Sequence, residues 1–293
     1  DLASGEEISV EDLLEATLIP SANDAANALA DHVGRRGGAK RFVRLMNRKA
    51  QRMGLTDTVF VRPDGLDVAG HVSSARDVLR LTAEAMRNPL FRSIVGTETA
   101  TIAGGRKLET TNGLLATYRG TYGVKTGHTD SAGWSEAAAA RRNGVSLYAV
   151  VLGGPSEARR DTDLRRLLNW GFSQFGRVTV ISEGRTYARA DIPFQSDRQL
   201  ELIGDRSVSR VVQFGKPLVE RVVAPASVRL PVVAGEPRGT VQIIAGDRVI
   251  AQRPLVAAES IGEPDVTSRI GWYARRTMSH ASDLLNSVLG VIW

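Results

Sequence analysis

Lys125-Thr126-Gly127 combines a cation, a hydroxyl and a residue without a side chain in three consecutive positions, within Tyr122-Gly123-Val124-Lys125-Thr126-Gly127-His128-Thr129-Asp130-Ser131-Ala132-Gly133-Trp134. Lysine is scarce in this chain: it occurs at positions 40, 49, 107, 125 and 216, against many arginines. A lysine kept in an arginine-rich chain points to work that arginine cannot do. Its ammonium is a compact point charge whose pKa moves readily on burial. Roughly a hundred residues upstream stands a second short polar group, Ser21-Ala22-Asn23, within Leu18-Ile19-Pro20-Ser21-Ala22-Asn23-Asp24-Ala25-Ala26. No serine in the chain is followed three residues later by lysine.

The elements that must position these residues can be read from period and punctuation. Ser9-Val10-Glu11-Asp12 has the pattern of a helix start, and Leu13, Leu14 and Leu18 supply its apolar face. Pro20 interrupts that helix, and Asp24 begins another with Ala25, Ala28, Leu29 and Val33 on one face and Gly34 as its stop. Ser21 and Asn23 are therefore expected on a short connector, where two helices can aim short polar side chains into a cleft. Residues 40–53 predict a third helix, basic on one side, with Phe42, Val43, Leu45 and Met46 inward. A glycine-rich segment with Asp64-Gly65-Leu66-Asp67 and Gly70-His71 follows, His71 being expected to position the loop. Ser74-Ala75-Arg76-Asp77 then restarts a helix. Val124–Gly127 and Ala137–Ala140 read as strands. Val145–Leu152 reads as a strand buried on both faces, because it is almost continuously apolar. A helix over Asp161–Phe172, carrying Leu164, Leu167, Leu168 and Trp170, closes the unit.

After Gly176 the texture changes to short β-like runs at Arg206–Gln213, Val228–Val233, Thr240–Ala245 and Arg248–Gln252, with Gly246-Asp247 as a tight hairpin. These predict a small antiparallel β domain over 176–264, following a first domain over 1–175. Glu263-Pro264-Asp265 reads as a linker to an amphipathic helix over 265–293. In that tail Ile270, Ala274, Met278, Ala281, Leu285, Val288 and Ile292 recur every three or four residues. Trp272, Tyr273 and Trp293 suit a lipid–water boundary, and Arg269, Arg275 and Arg276 suit lipid phosphates. Residues 267–293 are thus expected to lie on a membrane surface.

The 293 residues include no cysteine, which excludes disulfides and thiolate metal sites. The formal net charge is +6 and the pI about 10.0, compatible with an anionic partner. The arginines are dispersed and no aromatic-interleaved basic patch occurs, so no nucleic acid partner is expected. No metal or cofactor is expected either. No apolar stretch of 18 residues occurs, so no spanning helix is expected; no signal peptide is visible.

Taken together, the motifs resemble the low-molecular-mass penicillin-binding proteins of the serine-type D-alanyl-D-alanine carboxypeptidase family. The matching pieces are Ser21-Ala22-Asn23-Asp24-Ala25, Gly65-Leu66-Asp67 with Gly70-His71, Ser74-Ala75-Arg76-Asp77, Lys125-Thr126-Gly127-His128-Thr129 with Ala132-Gly133, and Leu167-Leu168-Asn169-Trp170-Gly171-Phe172. The resemblance covers roughly residues 5–175. It implies an α/β (α+β) penicillin-binding, β-lactamase-like catalytic domain, then the β domain and the amphipathic helix. The departure is the Ser-x-x-Lys segment, which in the family carries the nucleophile and precedes Ser-x-Asn. The first domain is therefore expected to be N-terminally incomplete and this chain alone inactive.

The implied reaction is acyl transfer. A serine attacks the carbonyl between the two D-alanines of a peptidoglycan stem peptide, the terminal D-alanine leaves, and water hydrolyses the acyl-enzyme. By resemblance Ser21 relays a proton to the leaving amine, and Asn23 holds the substrate carbonyl or the motif lysine. Lys125 supplies positive potential and helps keep a neighbouring lysine neutral. Thr126 donates to the substrate carboxylate, Gly127 lets the substrate strand lie close, and the His128 N–H is one oxyanion donor. Arg160, or by the alternative count Arg159, assists carboxylate binding. Implied ligands are stem peptides ending in D-Ala-D-Ala and β-lactam antibiotics. The implied location is extracytoplasmic, on the outer face of the cytoplasmic membrane. Two other readings stay open: a non-catalytic wall-binding or scaffold relative, and a β-lactamase, which would also need a Glu-x-x-Leu-Asn that is not found after Ser21 at a suitable distance.

Overall fold

A computed structural model describes residues 2–266, 269 and 270, which fall into two compact units, residues 1–175 and residues from 176 onward. The first unit opens with helix α1 (Val10–Leu18), whose Ser9 cap accepts from the Asp12 N–H at 3.0 Å. Helices α2 (Asn23–Gly34), α3 (Gly38–Arg52), α4 (Ala75–Ala85) and α5 (Pro89–Val95) follow. α4 is capped by Ser74, which accepts from the Asp77 N–H. A hairpin of β1 (Thr99–Ile102) and β2 (Arg106–Glu109) packs Ile102 and Leu108 against Leu13, Ala16, Ile19, Ala25 and Ile94. After the short α6 (Leu114–Thr117) come β3 (Thr121–Thr129), β4 (Gly133–Arg142) and β5 (Val145–Gly154). They form one antiparallel sheet in the order β3-β4-β5. Helix α7 (Glu157–Ser173) covers one face, with its Ser156 cap accepting from the Arg159 N–H.

The middle strand explains why the sheet holds helices closely on both sides. Ala137, Ala138, Ala139 and Ala140 are all buried. Side chains alternate faces along a strand. Ala138 and Ala140 meet Leu164 and Leu168 of α7, while Ala137 and Ala139 meet Met86, Val95 and Val124. The strand buried on both faces is therefore β4. β5, expected in that place from its apolar run, is an edge strand whose Leu152 is 40% exposed. Two further expectations are corrected here. α7 starts four residues before Asp161, and its Leu167 and Trp170 are exposed, because only the Leu164–Leu168 stripe faces β4. The inward side of α3 is half-buried, with Ala50 its fully buried residue.

The second unit has a five-stranded sheet in the order β10-β11-β12-β8-β7 and a β6-β9 pair. Its strands are β6 (Phe175–Ile181), β7 (Thr186–Ile192), β8 (Gln195–Gly204), β9 (Val208–Gln213), β10 (Leu218–Val223), β11 (Pro237–Ala245) and β12 (Arg248–Ala257). Leu200, Leu202, Val241, Ile243 and Leu255 form its core, and Gly246, at φ +58°, turns the β11–β12 hairpin. Val228–Val233 is not a ladder strand. Pro231 has no N–H to donate, and the segment makes one isolated bridge, Val232 to Ile261, while burying Val228 and Val232. The expected amphipathic helix over 265–293 lies largely outside the described residues. Among the described residues no helix is long and apolar enough to cross a membrane.

The alanine run yields a test. Ala138→Leu should cost about 1–3 kcal/mol, because inserted methylenes have no space between β4 and α7. Ala158→Leu on the exposed side of α7 should change stability by no more than about 0.5 kcal/mol. Urea denaturation of both variants checks the contrast.

Candidate active site

β3 is an edge strand, so one row of its backbone N–H and C=O groups has no strand partner. It carries Lys125, Thr126, Gly127 and His128 in a row, opposite Ala137, Glu136, Ser135 and Trp134 of β4. Lys125 is half-buried, and its Nζ donates to the Thr126 carbonyl at 2.9 Å. Burial lowers its pKa to about 8, against the opposing pull of the Glu136 carboxylate. Its surroundings are mainly apolar: a cavity of about 420 Å³ beside it is bordered by Val78, Leu81, Thr82, Ala85, Phe91, Val124 and Leu152.

Thr126 Oγ1 lies 2.5 Å from Thr111 Oγ1, and the Thr111 N–H donates to the Ile19 carbonyl at 3.4 Å. Thr111 thereby ties β3 to the connector between α1 and α2. Ser21 lies on that connector, half-buried, with φ +64°. A non-glycine residue in the left-handed region is strained, and such strain is typical of functional positions. The connector is held by the Ala22 N–H, which donates to the Ala16 carbonyl at 2.9 Å. Asn23 departs from the sequence expectation: it is exposed and opens α2 rather than sitting on the connector. Among the described residues, neither the Ser21 nor the Asn23 side chain hydrogen-bonds to Lys125.

A Cβ built on Gly127 would meet nothing within 4 Å, so this stretch of β3 is open to an approaching chain. The His128 ring stacks on Trp134 at 4.1 Å, which fixes the ring and leaves its backbone in the strand. At the end of β3, Thr129 Oγ1 donates to Asp67 Oδ1 at 2.8 Å, anchoring the 64–71 loop. Within that loop Asp64 pairs with Arg62 and accepts from Asn27 Nδ2 at 3.0 Å; the Arg62 guanidinium holds its carboxyl down at about 2. His71 Nδ1 accepts from the Val61 N–H at 3.3 Å, a loop-positioning contact.

Arg160 is placed differently from the expectation of a substrate-binding side chain. It is 1% exposed, and its guanidinium lies 3.0 Å from Glu136, 3.3 Å from Glu157 and 2.7 Å from Asp161. Three carboxylates hold it behind β4. Arg159, the alternative, is exposed and pairs with Asp163 at 2.9 Å. Sequence reasoning passed over two residues, Thr111 and Glu136. Thr111 carries no motif. Glu136 was visible only as a lone acid at the head of an alanine run, an unusual place for an ionisable group. Among the described residues no cluster of His, Asp or Glu could hold a metal ion.

The arrangement offers a cation, a hydroxyl and an unpaired strand edge side by side. That combination suits an extended peptide ending in a carboxylate. Comparison with known proteins agrees in kind: residues 1–156 match the family model described as D-alanyl-D-alanine carboxypeptidase. The chain belongs to the D-alanyl-D-alanine carboxypeptidase family. It is a low-molecular-mass penicillin-binding protein by the same relationships. It is similar to the D-alanyl-D-alanine carboxypeptidase DacD of Escherichia coli, 31% identical over 279 residues that cover 93% of this chain and 71% of the relative. Among solved structures, penicillin-binding protein 6B from Escherichia coli shares 28% identity with a TM-score of 0.60, covering 87% of this chain and 71% of that one. Penicillin-binding protein 5 from Haemophilus influenzae shares 29% identity with a TM-score of 0.59, covering 89% of this chain and 77% of that one. The mixed α/β architecture is that of this carboxypeptidase family.

The depressed Lys125 value has a consequence for stability. A lysine whose folded value lies below its unfolded value of 10.5 contributes stability above 10.5, and that contribution is lost as pH falls through about 8. Lys125→Met should therefore stabilise the carboxypeptidase fold at pH 6 by on the order of 1–3 kcal/mol, and the gain should shrink as pH rises from 8 toward 10.5. Thermal unfolding of both forms across that range checks it. A gain that does not vary with pH would show that the charge is not the cause.

Proposed function

We propose that this chain serves a serine-type D-Ala-D-Ala carboxypeptidase that trims the terminal D-alanine from peptidoglycan stem peptides. The reading rests on one observation above the others: Lys125 and Thr126 lie side by side on the edge strand β3, next to open backbone at Gly127. A stem peptide lying along β3 would bring its terminal carboxylate to the Thr126 hydroxyl within the field of Lys125. Preorganised charge of this kind acts on the developing oxyanion without reorganisation. Ser21, Asn23 and Lys125 are the proposed catalytic residues of this chain, and Thr126, Gly127 and His128 the proposed substrate-binding residues. Ser21, held in a strained connector tied to Thr126 through Thr111, is proposed to relay the proton to the leaving amine. Arg160 contributes from behind β4 rather than by reaching the cleft in this arrangement.

The nucleophile in this reading comes from a Ser-x-x-Lys segment, which these 293 residues do not contain. β-Lactam antibiotics are proposed to occupy the same strand, since they carry a carboxylate beside an acyl group. The proposed location is extracytoplasmic, where the wall substrate is found, with residues 267–293 lying on the outer face of the cytoplasmic membrane. The proposed domain assignment is a catalytic domain over 1–175, a β domain over 176–264 and the amphipathic segment over 265–293.

Fluorescent penicillin separates the readings. These 293 residues incubated with it should show no covalent band after denaturing electrophoresis, because nothing in the cleft can be acylated. The same chain joined to a Ser-x-x-Lys segment from a relative should label stably. In that form Lys125→Ala should lower acylation by about 100-fold or more. Turnover of the reagent would favour a β-lactamase, and no labelling of the joined form would favour a non-catalytic wall-binding relative.

A further inference from the structure

β4 begins its buried run with an acid. Glu136 is 1% exposed and stands at the head of Ala137-Ala138-Ala139-Ala140, a series whose other side chains are methyl groups. An ionisable group in such a place is costly to bury without a partner. Its partner is Arg160, whose Nε lies 3.0 Å from Glu136 Oε2. Neither carboxylate oxygen accepts a hydrogen bond of good geometry, so the pair is held by charge. Arg160 is equally buried and is shared with Asp161 and Glu157. One guanidinium thus faces three carboxylates.

The register connects this cluster to the substrate strand. Glu136 is directly opposite Thr126, and its neighbour Ala137 is opposite Lys125. The Glu136 side chain reaches Arg160 of α7, while Lys125 borders the cavity lined by Val78, Leu81, Thr82 and Ala85 of α4. No ion pair within 4 Å joins Lys125 to Glu136. The Glu136 carboxylate acts on Lys125 across one strand pair, beside a mainly apolar cavity where screening is weak. Lys125 and Glu136 both border the 420 Å³ cavity, whose other lining side chains on α4, α5 and β5, including Val78, Leu81, Phe91 and Leu152, carry no charge. The charged groups that act on Glu136 come from α7: Arg160, Asp161, Glu157 and Arg165.

We propose that Glu136 is a positioning residue of this site: its carboxylate holds the Arg160 guanidinium on the α7 side of β4 and keeps the Lys125 ammonium charged. The inference deepens the reading of Lys125-Thr126-Gly127 as the carboxylate-recognising strand and rests on it. It gives that strand a charge setting that comes from the protein rather than from the ligand. Burial drives Lys125 toward neutrality and the Glu136 field opposes it. Burial likewise pushes Glu136 up to about 7 against the attraction of Arg160, so the field strengthens as pH rises through neutrality.

The test reads Lys125 directly. With lysine labelled at 13Cε, five resonances are expected from this chain, and Lys125→Arg assigns the one of interest. In the unmodified protein the Lys125 resonance should titrate near 8, with a smaller inflection near 7 as Glu136 ionises. Glu136→Gln should remove that inflection and lower the Lys125 midpoint by at least about half a pH unit. Glu136→Asp should restore part of the shift, while the other four lysines stay unmoved. A midpoint that is unchanged or raised in Glu136→Gln overturns the proposal. If that variant does not fold, a Lys125 curve without the lower inflection overturns it instead. In parallel, binding of diacetyl-L-Lys-D-Ala-D-Ala, followed by the amide shifts of β3, should lose its alkaline limb at lower pH in Glu136→Gln. If the unmodified chain binds no such peptide, the reading of the strand fails, while the lysine titration still decides the role of Glu136.

Discussion

Two opposite charges withdrawn from water on either side of one strand pair set the terms for the rest of this fold. Lys125 borders the cavity beside α4, and the Glu136–Arg160 pair lies toward α7. Holding them requires a sheet thin enough for the Glu136 charge to reach Lys125 and packed tightly enough to exclude water. The alanine run of β4 supplies both, because four buried methyl side chains let the flanking helices approach closely. The same packing makes the charges costly. A buried ion pair offsets its desolvation only with good geometry and further partners. Arg160 finds those partners in Asp161 and Glu157, but the cluster then carries more carboxylates than cations. That excess helps to explain why Glu136 is hard to ionise and why its field favours a cation at Lys125.

Around this charged centre the loops are fixed by single polar contacts at defined points of β3. Thr111 joins Thr126 to the connector that carries Ser21, and Asp67 joins Thr129 to the 64–71 loop. A strand embedded in a sheet is a rigid reference, and loops that attach to it inherit its precision. The left-handed Ser21 fits this pattern. Its conformation costs of order 1–3 kcal/mol, and it is held by the Ala22–Ala16 and Thr111–Ile19 backbone hydrogen bonds on either side. The two contacts are weak singly, but they bear on the same short connector from two directions.

Much of the first unit was legible because its signals are local. Ser9 and Ser74 cap their helices, and each shows as a short polar residue with an acid three positions on. Gly34 ends α2, and Gly246 turns the β11–β12 hairpin, because each sits where the pattern needs a break. Where reading failed, the deciding contact was distant in sequence. β5 has the apolar run of a central strand, yet it lies at the edge while the plainer alanines of β4 lie in the middle. Burial on both faces can be met by small side chains as well as large ones, and hydropathy alone does not separate the cases. Of the large apolar residues carried by α7, Trp170 is exposed, because the helix presents Leu164 and Leu168 to β4. In the site, the order of Lys125, Thr126 and Gly127 was legible as a motif. The Thr126–Thr111 contact and the Glu136–Arg160 pair were not, since each depends on strand register and helix placement.

The register also gives a physical reason for a lysine at 125 in a chain that otherwise prefers arginine. Arginine keeps its charge under essentially any environment, and its planar fork needs room for several hydrogen bonds. Lys125 has one acceptor, the Thr126 carbonyl, and a mainly apolar cavity beside it. An ammonium there can be held near the point of losing its proton, with a value of about 8, and its charge then depends on what surrounds it. In the proposed function, an arriving substrate carboxylate would act on that proton in the same direction as the resident Glu136 carboxylate. Arginine at 125 would not respond to either. A site proposed to have its positive charge reinforced by the ligand therefore favours lysine on β3, while Arg160 serves behind β4, where a permanent charge holds three acids together.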